Sequence, residues 1–316
     1  MERQRTDASR RIARGLGTAL IAAVLAAACA LTVAQERDLG AQFERQVERE
    51  MVVVHDPVVV GYVQNIGNRL AAAAGPQPFP LTFGVVNDPN INAFAGPGGY
   101  VFVHTGLLMK ARSTAEVVAV MAHEISHITL RHVSQAVARQ QQAAILGAGI
   151  AAASDSSVLG QVAGTGLSVY NLRYDRQAEA DADRNGVLLM RHAGYDPHAM
   201  VTIFQLLGSE GGGRSGGFFS SHPGTTNRIA EIRSYIGSSP TTGLIRDDGR
   251  LPAIQRRIRS GGSGFSRSTG EGPVAPGPYG DRYDRDSRGG YPSGGSYGGT
   301  DPNGYPNSGD GGSYGR

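Results

Sequence analysis

His123-Glu124-Ile125-Ser126-His127 sets two imidazoles four residues apart, and no other stretch restricts the fold of this chain as strongly. Four residues is about one helical turn, so on a helix both rings leave the same face and can hold one metal ion with little backbone strain. The same helix sets Glu124 beside the position that such a metal leaves open, where it can take a proton from water. Val117, Val118, Val120, Met121 and Ile125 make the segment strongly apolar, so a core helix carrying a partly buried site is expected. The helical pattern runs from Thr114 to Gln141, with Ser113 or Thr114 to cap it and Glu116 in its first turn, where the helix dipole favours a negative charge.

A tetrahedral catalytic metal needs a third protein ligand. The only cysteine is Cys29, far upstream in an apolar leader, so the remaining ligand must be His or a carboxylate. Arg176-Gln177-Ala178-Glu179-Ala180-Asp181-Ala182-Asp183 offers the best one, Glu179. Asp183 lies four residues on, on the same helical face, and can accept the N–H of a ligand imidazole, which fixes the tautomer and raises ring basicity. Asp181 points elsewhere by the same spacing. His55, His104, His192 and His198 fall into no pattern.

The rest of the chain sorts into three parts. Residues 1–35 carry Arg3, Arg5, Arg10, Arg11 and Arg14 and then an apolar run from Leu16 to Val33, the pattern of an export signal. Three outcomes are open for it: cleavage after Thr32-Val33-Ala34, lipidation at Cys29 through the loose lipobox Leu25-Ala26-Ala27-Ala28-Cys29, or retention as an uncleaved anchor. Residues 259–316 are dominated by Gly, Ser, Pro, Tyr, Asp and Arg without an apolar period, which is the composition of a disordered tail. The 316 residues are 40% hydrophobic overall, and the stretch 36–258 is long enough for one good core. A net charge of +3, with no basic cluster among aromatics in that stretch, gives nucleic-acid binding no support.

Within 36–258 the periodicities predict helices over Gln35–Met51, Val58–Ala74, Tyr174–Ala193, Pro197–Leu207 and Pro223–Ile236. Ala143–Ala153 and Val158–Val169 are rich in Ala and Gly and read as small-residue helix packing or loop, too short to span a bilayer. Leu81–Val86 alternates like a strand, and Gly96-Pro97-Gly98-Gly99 before Tyr100-Val101-Phe102-Val103 reads as a hairpin turn. Gly208–Gly217 is a glycine-rich loop. The sum is an α+β domain, mostly helical, with a small antiparallel sheet.

Four blocks in order carry a family resemblance: Asn92-Ala93-Phe94-Ala95-Gly96-Pro97-Gly98-Gly99-Tyr100 leading to Thr105-Gly106-Leu107-Leu108; Ala122-His123-Glu124-Ile125-Ser126-His127 with Arg131-His132; Tyr174-Asp175-Arg176-Gln177-Ala178-Glu179 with Ala182-Asp183; and Ser221-His222-Pro223 with Arg228. From about Val58 to Tyr235 the chain resembles the HtpX/BepA-type zinc metallopeptidases, bacterial relatives of the CAAX prenyl protease. The resemblance implies a zincin-like (gluzincin) fold, one zinc ion held by His123, His127 and Glu179, Glu124 as general base, and Asp183 as support. His222 matches a His-Pro near the metal; it either steadies an oxyanion or fills the open position in a resting state. His132 matches as well, with a helix-end or core histidine the preferred reading. The implied activity is endoproteolysis of unfolded or misassembled envelope proteins in the periplasm or at its membrane. The alternatives are an envelope chaperone with a latched metal site and, behind it, a cell-wall peptide amidase. The membrane spans of the HtpX branch and the helical repeats of the BepA branch have no counterpart here.

Overall fold

Thr32 accepts from the Gln35 backbone while the Gln35 side chain returns the bond, and this reciprocal cap starts helix α1, Val33–Glu50. The computed structural model describes residues 31–140, 174–210, 217–223, 227–238 and 240–265. The leader to Ala30, Cys29 with it, the Ala/Gly segments 143–153 and 158–169, and the tail beyond Phe265 lie outside these residues. No helix among the described residues is long and apolar enough to cross a membrane. Helix α1 lays Phe43 and Val47 inward and crosses the turn Pro97–Gly99 closely: a Cβ on Gly40 would stand 2.7 Å from the Pro97 carbonyl oxygen. Gly98 and Gly99 in that turn have φ of 71° and 93°, which a side chain resists.

Asp56 caps helix α2, Pro57–Ala74, whose Val59, Val63, Ile66 and Leu70 face the core. Strands β1 (Thr82–Val86), β2 (Ala93–Ala95) and β3 (Tyr100–His104) follow, then helix α3 (Thr105–Lys110). The order in the sheet is β1-β3-β2, with β3 antiparallel to β2 and parallel to β1. The expected hairpin is present, but the sheet is mixed, not purely antiparallel. The hairpin joins β2 to β3, and β3 lies between β2 and β1 and runs the same way as β1. All three strands are buried on both faces, which alternation in the sequence does not convey.

Helix α4, Thr114–Thr129, runs through the centre of the molecule and is buried from Thr114 to Ile128. It packs on α2, on β2 and β3, and most extensively on helix α5, Arg176–His192. Gly186 allows that approach, since a Cβ there would stand 2.9 Å from Met200 Cε and 3.4 Å from the His123 nitrogen. The single long helix expected to Gln141 is interrupted. It stops at Thr129, Arg131 takes a left-handed φ of 63°, and residues 132–140 are helical again. Arg131 is held there by the buried Glu36 at 2.8 Å and by the Leu31 carbonyl at 3.2 Å, partners that lie about a hundred residues away in sequence.

Helices α6 (His198–Glu210), α7 (Phe218–Ser221), α8 (Arg228–Ile236) and α9 (Leu251–Ser260) complete the fold. The helix expected over Pro223–Ile236 starts only at Arg228, and His222 and Pro223 instead follow the short turn α7. Residues 240–265 strap back across the molecule. Arg257 binds Asp56 at 2.7 Å, and the His55 backbone donates to the Gly264 carbonyl. The strap also caps α4. Ser113 makes no side-chain cap bond, whereas Asp247 Oδ1 accepts from the Thr114 N–H at 3.1 Å and from its hydroxyl at 3.0 Å. Asp247→Ala should therefore lower unfolding stability by about 1 kcal/mol, the usual worth of an N-cap, read as a fall in the urea midpoint at constant m-value. An unchanged midpoint would remove the capping role.

Candidate metal centre

Helix α4 delivers His123, Glu124 and His127, helix α5 delivers Glu179 and Asp183, and the turn after α7 delivers His222. All six are at least 98% buried. His123 Nε2 lies 3.1 Å from His127 Nε2 and 3.2 Å from His222 Nδ1. Glu179 Oε1 lies 3.0 Å from His222 Nδ1 and 3.5 Å from His127 Nε2, and Oε2 lies 3.5 Å from His123 Nε2. Ligand atoms about 2.0–2.1 Å from a tetrahedral zinc stand about 3.3 Å from one another. The separations at His123 Nε2 and Glu179 Oε1 are close to the edges of that tetrahedron, and the nitrogen and carboxylate donors match its chemistry. His123, His127, Glu179 and His222 are thus able to hold a metal ion, with one ligand atom from each within 4.8 Å of all the others.

The surroundings fix the rings. His123 Nδ1 is 2.9 Å from Asp183 Oδ1, an arrangement that turns Nε2 and its lone pair inward. His127 Nδ1 is 3.1 Å from His132 Nδ1, so His132 backs the second imidazole as Asp183 backs the first. Tyr174 stacks on His127 with centroids 3.8 Å apart, and Phe218 stacks on His222 at 4.4 Å. Glu124 stands apart from the four, its Oε1 3.2 Å from His222 Nε2. Asp181 pairs with Gln177 along the outside of α5, away from this cluster.

Burial and neighbouring charge set opposite tendencies here. Burial disfavours a charge on His123, but Asp183 and Glu179 beside it outweigh this and lift it to about 9. Burial holds His127 well below the usual histidine range. Burial also favours a neutral Glu179, yet His222, His123 and His127 around it pull its carboxyl below the usual range. Glu124, with burial as the main influence, is raised. Carboxylates that favour positive charge between them are the surroundings a cation site needs, and a raised carboxylate is the kind that returns a proton readily.

Glu179, Asp183 and both ligand-spaced histidines follow from helical periodicity. Arg228 does not. It lies in the last sequence block without an assigned role, yet it reaches both Asp183 and Glu179. The aromatic packing by Tyr174 and Phe218 is also tertiary. His132 belongs to the run Arg131-His132 that the resemblance had marked, and its contact with His127 exists only because the helix breaks between them.

The sequence pattern of Peptidase family M48 matches residues 57–236. The chain is 36% identical over 223 residues to a beta-barrel assembly-enhancing protease of Vibrio cholerae serotype O1, covering 66% of this chain and 46% of that one. It is 30% identical over 217 residues to the beta-barrel assembly-enhancing protease of Escherichia coli strain K12, covering 65% and 44%. Mitochondrial metalloendopeptidase OMA1 of Arabidopsis thaliana is 37% identical over 145 residues, covering 46% and 29%. The matched part of this chain corresponds to less than half the length of each of these relatives.

Proposed function

The chain belongs to peptidase family M48, a family of metallopeptidases, and on that premise we propose that it is a zinc-dependent endopeptidase working on unfolded or misassembled proteins of the cell envelope. The observation that carries the reading is the set of separations of 3.0–3.5 Å that link His123 Nε2, His127 Nε2, Glu179 Oε1 and His222 Nδ1. His123, His127 and Glu179 are the ligands in this reading. Zinc bound by them supplies Lewis-acid polarisation of the scissile carbonyl and brings the pKa of water toward neutrality. Glu124 takes the proton from the attacking water and passes one to the leaving amine. Asp183 and His132 hold the two imidazoles in the tautomer that turns Nε2 inward.

His222 fits the resting-state role better than the oxyanion role, because its Nδ1, 3.2 Å from His123 Nε2 and 3.0 Å from Glu179 Oε1, would be close enough to share an ion with them. A substrate carbonyl needs that position, so the turn after α7 must shift before turnover. Phe218 stacked on the ring holds it in place. His222→Ala is expected to keep one zinc per chain and to raise the initial rate on unfolded casein several-fold. A fall in rate with zinc retained would restore the oxyanion role.

Peptide binding by strand addition requires a sheet edge. Among the described strands β3 is paired on both sides, which leaves β2, beside α4, as the edge on this side of the sheet. Backbone pairing along Ala93–Ala95 recognises extended chains with little sequence preference, which suits unfolded substrates. The export-signal pattern of residues 1–35 and the names of the bacterial relatives support an envelope setting. The test is chelator-sensitive cleavage of unfolded casein by the purified full-length protein, restored by zinc. Binding of casein without any cleavage, in both the wild type and His222→Ala, would favour a chaperone with a latched site.

A further inference from the structure

Arg228, the first residue of α8, is 3% exposed while carrying a charge that no ordinary pH removes. Its Nε donates to Asp183 Oδ2 and its Nη2 to Asp183 Oδ1, both at 2.8 Å. Its Nη1 lies 2.7 Å from Glu179 Oε2 and 3.4 Å from the carbonyl oxygens of His222 and Pro223. The guanidinium carbon sits 4.9 Å over the Phe204 ring and 5.9 Å over Phe219. One side chain thus touches the carboxylate assigned to the metal, the carboxylate that backs His123, and the backbone at His222.

We propose that Arg228 is a positioning residue for the metal centre: it occupies Glu179 Oε2 so that Oε1 alone is presented to the metal, and it keeps Asp183 aimed at His123. The inference rests on the metal-site reading above and adds a residue to it. Two arguments support it. A carboxylate free at both oxygens can rotate into two-point coordination and crowd the corner that substrate needs. The guanidinium fork removes that freedom, because its three nitrogens are rigid with respect to one another and two of them, Nε and Nη2, are already committed to Asp183, which fixes Nη1 at Glu179. The second argument is charge. Asp183 and Glu179 are both buried, and the Arg228 guanidinium set against them offsets the repulsion between the two carboxylates.

The experiment uses the full-length protein and three variants, Arg228→Lys, Arg228→Gln and Arg228→Met. Zinc affinity is measured by competition with a chromophoric chelator, and the visible bands of the cobalt-substituted protein report coordination number. Arg228→Lys keeps the charge but loses the fork, so it is expected to fold and to bind zinc about 10–100-fold more weakly, the usual loss on removing a partner of a ligand. Its cobalt bands should weaken as Glu179 gains a second contact. If Arg228→Met fails to fold, Arg228→Lys and Arg228→Gln decide. Variants that melt earlier but keep wild-type zinc affinity and cobalt bands would reduce Arg228 to a tie between helices and overturn the proposal. A wild type that binds no zinc would instead sink the metal-site reading itself, which separates the two failures.

Discussion

Glu124→Gln is expected to lower kcat/KM for unfolded casein by about 10²–10⁴-fold, the range that a positioned general base supplies, while leaving one zinc per chain. Glutamine has nearly the same shape, so the fully buried position suffers no cavity. Its amide oxygen can still accept from His222 Nε2, which sits 3.2 Å from the Glu124 carboxylate. What it cannot do is take a proton. Because Glu124 stands outside the group of His123, His127, Glu179 and His222, the metal should stay. Zinc analysis of the purified variant together with a casein assay gives both halves of the result. Cleavage at the wild-type rate would assign the base to another residue.

His123→Ala should abolish stoichiometric zinc binding and all measurable cleavage, since it breaks the imidazole pair on α4 and leaves His127, Glu179 and the displaceable His222 on three separate elements. It should also weaken the metal-free protein. His123 stands 2.9 Å from Asp183 and 3.5 Å from Glu179, and its removal takes a charged partner from two buried carboxylates. The loss is about 3 kcal/mol, at the low end for a broken buried pair because Arg228 still faces both acids. For a domain of this size that is a fall of roughly 6–12 °C in Tm, measured with excess chelator in both samples. A variant with one bound zinc would refute the ligand assignment, and one with an unchanged chelated Tm would refute the electrostatic account.

Much of the site was legible because helical geometry is local. The spacing of His123 to His127 and of Glu179 to Asp183 fixes which side chains share a face, and burial of the surrounding Val, Met and Ile follows from the same period. The family blocks supplied what spacing cannot, that the turn at His222 returns to the same place. The break at Arg131 was hidden for the opposite reason. No residue there forbids a continued helix, and the left-handed turn is held by Glu36 and the Leu31 carbonyl, remote in sequence. The cap on α4 was hidden likewise, because a serine stands at the expected position while the bonds come from Asp247.

The sequence by itself determined the central helix, its two imidazoles and their intervening carboxylate, and the acidic pair on a second helix, because a repeat of 3.6 residues turns spacing into direction. Only the tertiary structure decided how close those helices come, that His222 lies 3.2 Å from His123 and 3.0 Å from Glu179, and that Arg228 reaches Asp183, Glu179 and the His222 carbonyl. Those relations depend on close packing across the chain, such as Gly186 against the His123 backbone, and no local pattern encodes a distance between two helices.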